Sequence, residues 1–180
     1  MSKRRVVITG MGIVSPVGNS VEESWKNILA GKSGINSLTN LETEGQSVTF
    51  GGSVKNFDIT DYISPKDAKK MDTFIHYGMA AGIQAIEDSG IEVTEQNAER
   101  IGVAIGAGIG GLGTIEKTAD LFREKGAKRI SPFFVPSSII NMISGNLSIK
   151  YGLKGPNFAI VTACTTGTHN IGDASRLIEY

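Results

Sequence analysis

Three stretches of the chain are apolar without polar alternation: Val6-Val7-Ile8-Thr9-Gly10, Arg100 to Gly106, and Pro156 to Thr162. Continuous apolar runs of this length, bounded by glycine or turn residues, predict strands buried in a parallel sheet. Gly10 to Pro16 predicts a turn. Ser20-Val21-Glu22-Glu23 then predicts a capping box, with Ser20 as N-cap and Glu23 three residues on. The helix it opens puts Trp25, Ile28 and Leu29 on one face, and Gly31 stops it. Residues 32 to 62 are turn-rich, with short strand candidates near Val48 to Val54.

Ser64-Pro65 predicts a second helix, capped by Ser64 and running to about Asp88 before Gly90. Its middle, Gly78-Met79-Ala80-Ala81-Gly82, is small and apolar all round, which predicts burial against a sheet or another helix. After the run ending at Gly106 come a glycine-rich loop to Gly113 and an amphipathic helix to about Lys125. Ser131-Pro132-Phe133-Phe134-Val135-Pro136 predicts an apolar loop, and Ser137 or Ser138 the cap of a helix ending near Tyr151-Gly152. Ala163 to Gly167 predicts a turn into a last helix, Thr168 to Tyr180. Strands alternating with helices predict an α/β fold with a mainly parallel sheet. The sequence stops inside a helical pattern without a C-cap, which predicts a cut through an element and hence a fragment.

Composition narrows the classes. Apolar residues make up 40% and charged residues 20%, as in an ordinary globular domain. The 18 basic and 18 acidic residues cancel, so charge gives no reason to expect a nucleic acid. No apolar run reaches membrane-spanning length, and the basic Met1-Ser2-Lys3-Arg4-Arg5 lacks the apolar core of a signal peptide. One cysteine excludes an intrachain disulfide and a multi-cysteine metal site; a reducing, cytoplasmic setting is the expectation. The 23 glycines are nearly double the usual ~7%. They punctuate the strand-like runs, which predicts tight turns and close backbone approaches.

That cysteine, Cys164, sits between a predicted strand and a predicted helix. Unpaired N–H groups at a helix start favour thiolate over thiol and can bind an oxyanion. The small neighbours Ala163, Thr165, Thr166 and Gly167 leave room for a substrate. Position alone, however, fits a small buried hydrophobe better than it fits a nucleophile.

The run Val161-Thr162-Ala163-Cys164-Thr165-Thr166-Gly167-Thr168-His169-Asn170-Ile171-Gly172 resembles the active-site motif of β-ketoacyl-acyl-carrier-protein synthases. Arg5 to Gly12, Gly106 to Gly111 and Ser131 to Pro136 also resemble that family, so the resemblance covers essentially the whole chain. It is nearest to the elongating, synthase II type. The resemblance implies a thiolase-like fold, with residues 1–180 as the N-terminal half of a layered αβαβα arrangement. It implies a homodimer and a decarboxylating Claisen condensation needing no metal or redox cofactor. Cys164 would take the acyl chain from acyl carrier protein, and its N–H would form part of the oxyanion hole. Malonyl-loaded carrier would then attack. Ile109, Phe134 and Ala163 would line acyl pockets, Phe134 that of the partner subunit. Lys66, Lys69, Lys70, Lys128 and Arg129 would meet the acidic carrier, although a solvated helix face explains such lysines equally well.

The family's two further histidines come from its C-terminal half, and this chain has only His76 and His169. Five residues on a helix turn about 500°, so His169 points roughly 140° away from Cys164. Packing or capping is its expected role, and a satisfied helix histidine that of His76. The 180 residues alone are therefore expected not to condense substrates, and to expose a large apolar surface. Gly106-Ala107-Gly108-Ile109-Gly110-Gly111 matches the dinucleotide pattern G-x-G-x-x-G, but no acidic residue closes a strand about 20 residues on. Nucleotide binding is not expected. A polyketide-type ketosynthase and a non-catalytic carrier-binding or dimerising module stay open. Phe133, Phe134 and Val135 fit core, dimer contact or substrate tunnel alike.

Overall fold

A computed structural model describes residues 4–39 and 42–180. Met1 to Lys3 of the basic N-terminal run, and Asn40 and Leu41 of the turn-rich stretch, lie outside the described residues. Helix α1 spans Val21–Leu29. It opens as a capping box: Ser20 Oγ accepts from the Glu23 N–H at 3.2 Å. The Glu23 carboxylate turns back one residue further than expected, to the Asn19 N–H at 2.8 Å. Gly31 follows the helix with φ of +66°. Strands β1 (Asn36–Ser37) and β2 (Phe50–Gly51) pair antiparallel.

The single helix expected from Ser64 to Asp88 is two. Helix α2 (Pro65–Ala68) has Ser64 as N-cap and Pro65 at its start, as expected. The chain then breaks, and α3 (Thr73–Ser89) starts on a new N-cap, Asp72. Two competing bonds explain the break. The Asp72 N–H donates to Ser137 O at 3.3 Å instead of continuing the helix, and its carboxylate accepts from Phe74 N–H at 3.2 Å. Gly90 closes α3 in the left-handed region.

Strand β3 (Val103–Ala104) pairs in parallel with β4 (Asn157–Phe158). Both expected strands are shorter than the apolar runs that contain them. A 3-10 turn takes Ala98–Arg100, and the ladder ends where Ile105 N–H meets Phe158 O at 3.3 Å. The expected strand at Val6 to Gly10 is not formed: among the described residues no strand pairs with it, and Ile8 is 80% exposed. An apolar run becomes a strand only with a backbone partner. Here the adjoining turn instead lies along α3. Met11 N–H donates to Asp88 Oδ2 at 2.9 Å and Ile13 N–H to Gln84 Oε1 at 3.1 Å.

Helix α4 spans Leu112–Lys125. A short helix, α5, forms at Phe134–Ser138 inside the expected apolar loop, and α6 spans Met142–Tyr151. Ser137 and Ser138 therefore end α5 rather than cap α6. Both hydroxyls turn back to the Phe134 carbonyl at 2.9 Å. Helix α7 runs Thr166–Glu179, starting two residues before the expected Thr168.

The core lies between α3 and α6. Ile75, Met79, Ala80 and Ile83 of α3 pack with Ile143 and Leu147 of α6 and Val103 of β3. Gly78 and Gly82 make the approach possible. A Cβ on Gly78 would lie 2.6 Å from Ile143 Cδ1, and one on Gly82 2.5 Å from Leu147 Cδ1. The small, all-round apolar middle of α3 is thus buried against a helix. Asn157 ties β4 to α6, donating to Ser144 O at 3.1 Å and Ser148 Oγ at 2.9 Å. Successive side chains of a strand point to opposite faces. Val103 joins the α3–α6 core while Ala104 faces a cleft shared with Ala174 and Leu177 of α7. The architecture is α/β, with helices on both faces of the parallel pair.

Candidate active site

Beyond β4 the chain runs through Ala159 to Thr162 outside any strand, then makes a 3-10 turn at Ala163–Thr165 that flows into α7. Cys164 is the middle residue of that turn and is exposed in these 180 residues. Ala163 holds φ at +50°, the left-handed region that residues with a Cβ avoid. The turn is tight: Thr165 N–H reaches Thr162 O at 3.0 Å and Thr166 N–H returns to Ala163 O. Among the described residues the Cys164 N–H has no acceptor, so it faces the start of α7 as an open donor.

Three side chains of α7 hold the turn from behind. Thr166 Oγ1 accepts from Thr162 N–H at 3.0 Å, so Thr166 is buried rather than leaving room for substrate. His169 Nδ1 and Thr162 Oγ1 are 2.8 Å apart, a tether and not a contact with Cys164. Asn170, 3% exposed, bonds to the backbone at both Ile160 and Thr166. Sequence reasoning missed Thr166 and Asn170 as site residues. A signal was present: the two are four apart, with Ala174 four further on, so α7 carries polar residues on the stripe that faces the sheet.

The glycine-rich loop sits beside this turn. A Cβ on Gly108 would lie 3.5 Å from Ala163 Cα. Ile109, next along, is 71% exposed. Gly110 and Gly111 press on the end of α5, where Gly111 N–H donates to Ser138 O at 2.9 Å. The loop thus joins the Cys164 turn to the helix that carries half-buried Phe134. Its geometry does not suit a pyrophosphate. Gly106 is filled by backbone, since a Cβ there would overlap Ile160 O. At the start of α4, where a phosphate would sit, the Asp72 carboxylate already accepts from Thr114 N–H at 3.2 Å and from the Thr114 hydroxyl.

Lys66 and Lys69 are exposed on and just after α2, and Lys128 and Arg129 are exposed in a 3-10 turn after α4. Lys70 is more constrained. It pairs with Asp67 at 2.7 Å, and its Nζ stands 5.7 Å from the Phe133 ring centre. Lys70, and then the Ser64 hydroxyl, hold the Asp67 carboxyl below the usual carboxylate range. Because α2 ends at Ala68, Lys69 and Lys70 lie at a helix C-terminus. Cations there are favoured by the helix dipole. His76 is satisfied: its Nε2 lies 2.9 Å from Ala68 O. No helix of the described residues is long and apolar enough to cross a membrane.

The family profile described as the N-terminal domain of β-ketoacyl synthases matches residues 3–179. The chain is 64% identical over 180 residues to a 3-oxoacyl-[acyl-carrier-protein] synthase 2 of Vibrio cholerae, covering 100% of the chain and 44% of that relative. A synthase of the same name from Coxiella burnetii is 52% identical over 180 residues, again 100% of the chain and 44% of the relative. The chain therefore spans less than half the length of these curated relatives. Among solved structures, a ketosynthase in complex with its type II PKS acyl-carrier protein, bound to the hexaketide, superposes with a TM-score of 0.82. It is 27% identical, over 99% of this chain and 48% of that one. A β-ketoacyl synthase from Burkholderia phymatum superposes at 0.81 with 24% identity, over 97% of this chain and 43% of that one, a likeness of fold. With a matching profile over nearly all its length and the ketosynthase arrangement of its elements, the chain belongs to the β-ketoacyl synthase family, as the N-terminal domain.

Proposed function

We propose that residues 1–180 form the N-terminal domain of a 3-oxoacyl-acyl-carrier-protein synthase of fatty acid elongation, with Cys164 as its acyl acceptor. The exposed thiol on a strained turn at the start of α7 carries the proposal. In the first step the Cys164 sulfur bonds to the acyl carbonyl carbon. The carrier's C–S bond breaks, and the proton ends on the carrier thiol. The Cys164 N–H stabilises the oxyanion that forms between these events. In the second step malonyl carrier loses CO2, and its carbanion forms the new C–C bond at that carbonyl. The Cys164 sulfur then leaves and regains a proton.

Ile109, Phe134 and Ala163 are assigned to acyl pockets and the five basic residues to the acidic carrier protein. The assembly is a homodimer, and the reaction needs no cofactor. Decarboxylation needs groups outside this chain, because His76 and His169 are both engaged elsewhere. The solved ketosynthase with its type II PKS carrier supports a polyketide enzyme as the second reading. Identity of 64% to a fatty-acid-type synthase, against 27% to that ketosynthase, favours the first.

Intact-mass measurement after exposure to an acyl thioester tests the assignment. One acyl adduct at Cys164 is expected, absent in Cys164→Ala, and no condensation by the 180 residues alone. A full-length protein that gains no adduct would sink the proposal, and condensation by the 180 residues would refute the need for outside groups.

A further inference from the structure

Asn170 lies on α7 six residues past Cys164, and every bond its side chain makes ends on the stretch that contains the thiol. Oδ1 accepts from Ile160 N–H at 3.1 Å, and Nδ2 donates to Ile160 O at 3.0 Å and Thr166 O at 2.8 Å. One amide thus takes up both backbone groups of Ile160, the task a neighbouring strand performs elsewhere in a sheet. Thr166, one turn earlier on the same face, fixes Thr162 through its hydroxyl. Ile160, Thr162 and Thr166 are pinned, so residues 161 to 165 have little choice but the tight turn seen. Gly106 is shaped to the same cluster: a Cβ there would come within 3.0 Å of Thr166 Cγ2 and 3.1 Å of Asn170 Nδ2.

We propose that Asn170, acting with Thr166, is a positioning residue for Cys164. Its buried amide locks the chain beyond β4 to the first turn of α7 and so holds the thiol at the helix start. None of these bonds reaches the α3–α6 core, so the clamp serves the turn and not the hydrophobic centre. The inference rests on Cys164 being the acyl acceptor.

Iodoacetamide labelling of the whole protein, followed at the Cys164 peptide by mass spectrometry, tests it without turnover. The folded wild-type thiol is expected to react roughly tenfold faster than in the urea-unfolded protein. Thr166→Val, which keeps the shape and removes the hydroxyl, and Asn170→Ala are expected to lose most of that advantage. Thr166→Ser, which keeps the hydroxyl, is expected to retain it. Gly82→Ala weakens the remote core and is expected to leave the rate unchanged. If Asn170→Ala does not fold, Thr166→Val and its serine rescue decide. Folded Thr166→Val with the wild-type rate overturns the inference, as does a Gly82→Ala protein slowed as much as Asn170→Ala. A wild-type thiol no faster than the unfolded one overturns the acyl-acceptor assignment, and this inference with it.

Discussion

Ala163 is the residue where backbone geometry and chemistry meet. Its φ of +50° costs a residue with a Cβ about 1–2 kcal/mol, and its side chain is exposed, so no packing offsets the cost locally. Ala163→Gly removes that strain but adds about 0.5–1 kcal/mol of unfolded-state entropy. Thermal unfolding is expected to shift by no more than a few degrees. Acylation of Cys164 is expected to slow, because glycine frees the turn to leave the reactive geometry. Faster acylation, read by mass spectrometry over time, would mean that the strain hinders the reaction. The place of Cys164 between an apolar run and a helical pattern was legible in the sequence, but only the family resemblance singled it out as the proposed acceptor. Asn170 was not legible. Two of its three bonds go to Ile160, ten residues back, and a polar residue in an amphipathic helix looks like surface until the helix is docked.

At the scale of elements, local signals fared better than distant ones. Ser20, Ser64 and Gly90 mark their helix ends because capping involves only neighbouring residues. The break before Asp72 was illegible, since its cause is the Ser137 carbonyl brought there by the fold. Strand lengths were illegible for the same reason, as pairing depends on a partner far along the chain. Helix α3 shows what the small residues achieve. Leu147 is 1% exposed, and a methyl at position 82 would lie 2.5 Å from its Cδ1, so it must shift within a packed core. Gly82→Ala is expected to destabilise by about 1–3 kcal/mol, the range for overpacking a tight core. A melting curve unchanged within a degree would show that α6 slides freely along α3.

For the whole molecule, the balanced total charge conceals the local excess on and after α2. Lys69 is exposed and Lys70 is held by Asp67, so the two contribute differently to a charged encounter. In a full-length enzyme, Lys69→Glu with Lys70→Glu is expected to slow reactions with acyl carrier protein about tenfold at low salt and to flatten their salt dependence. Reactions with a small acyl thioester should not change. Equal rates with the carrier at low salt would remove these lysines from the docking surface. The unpaired run from Val6 to Gly10 has a consequence of another kind. It leaves Val7 and Ile8 exposed, as are Trp25, Ile28 and Ile171 around a wide apolar cleft. In the 180 residues by themselves these side chains face water. Open backbone beside bare apolar side chains is a template for other chains to pair with. The 180 residues by themselves are therefore expected to aggregate through this cleft, and holding by a chaperone would matter most there.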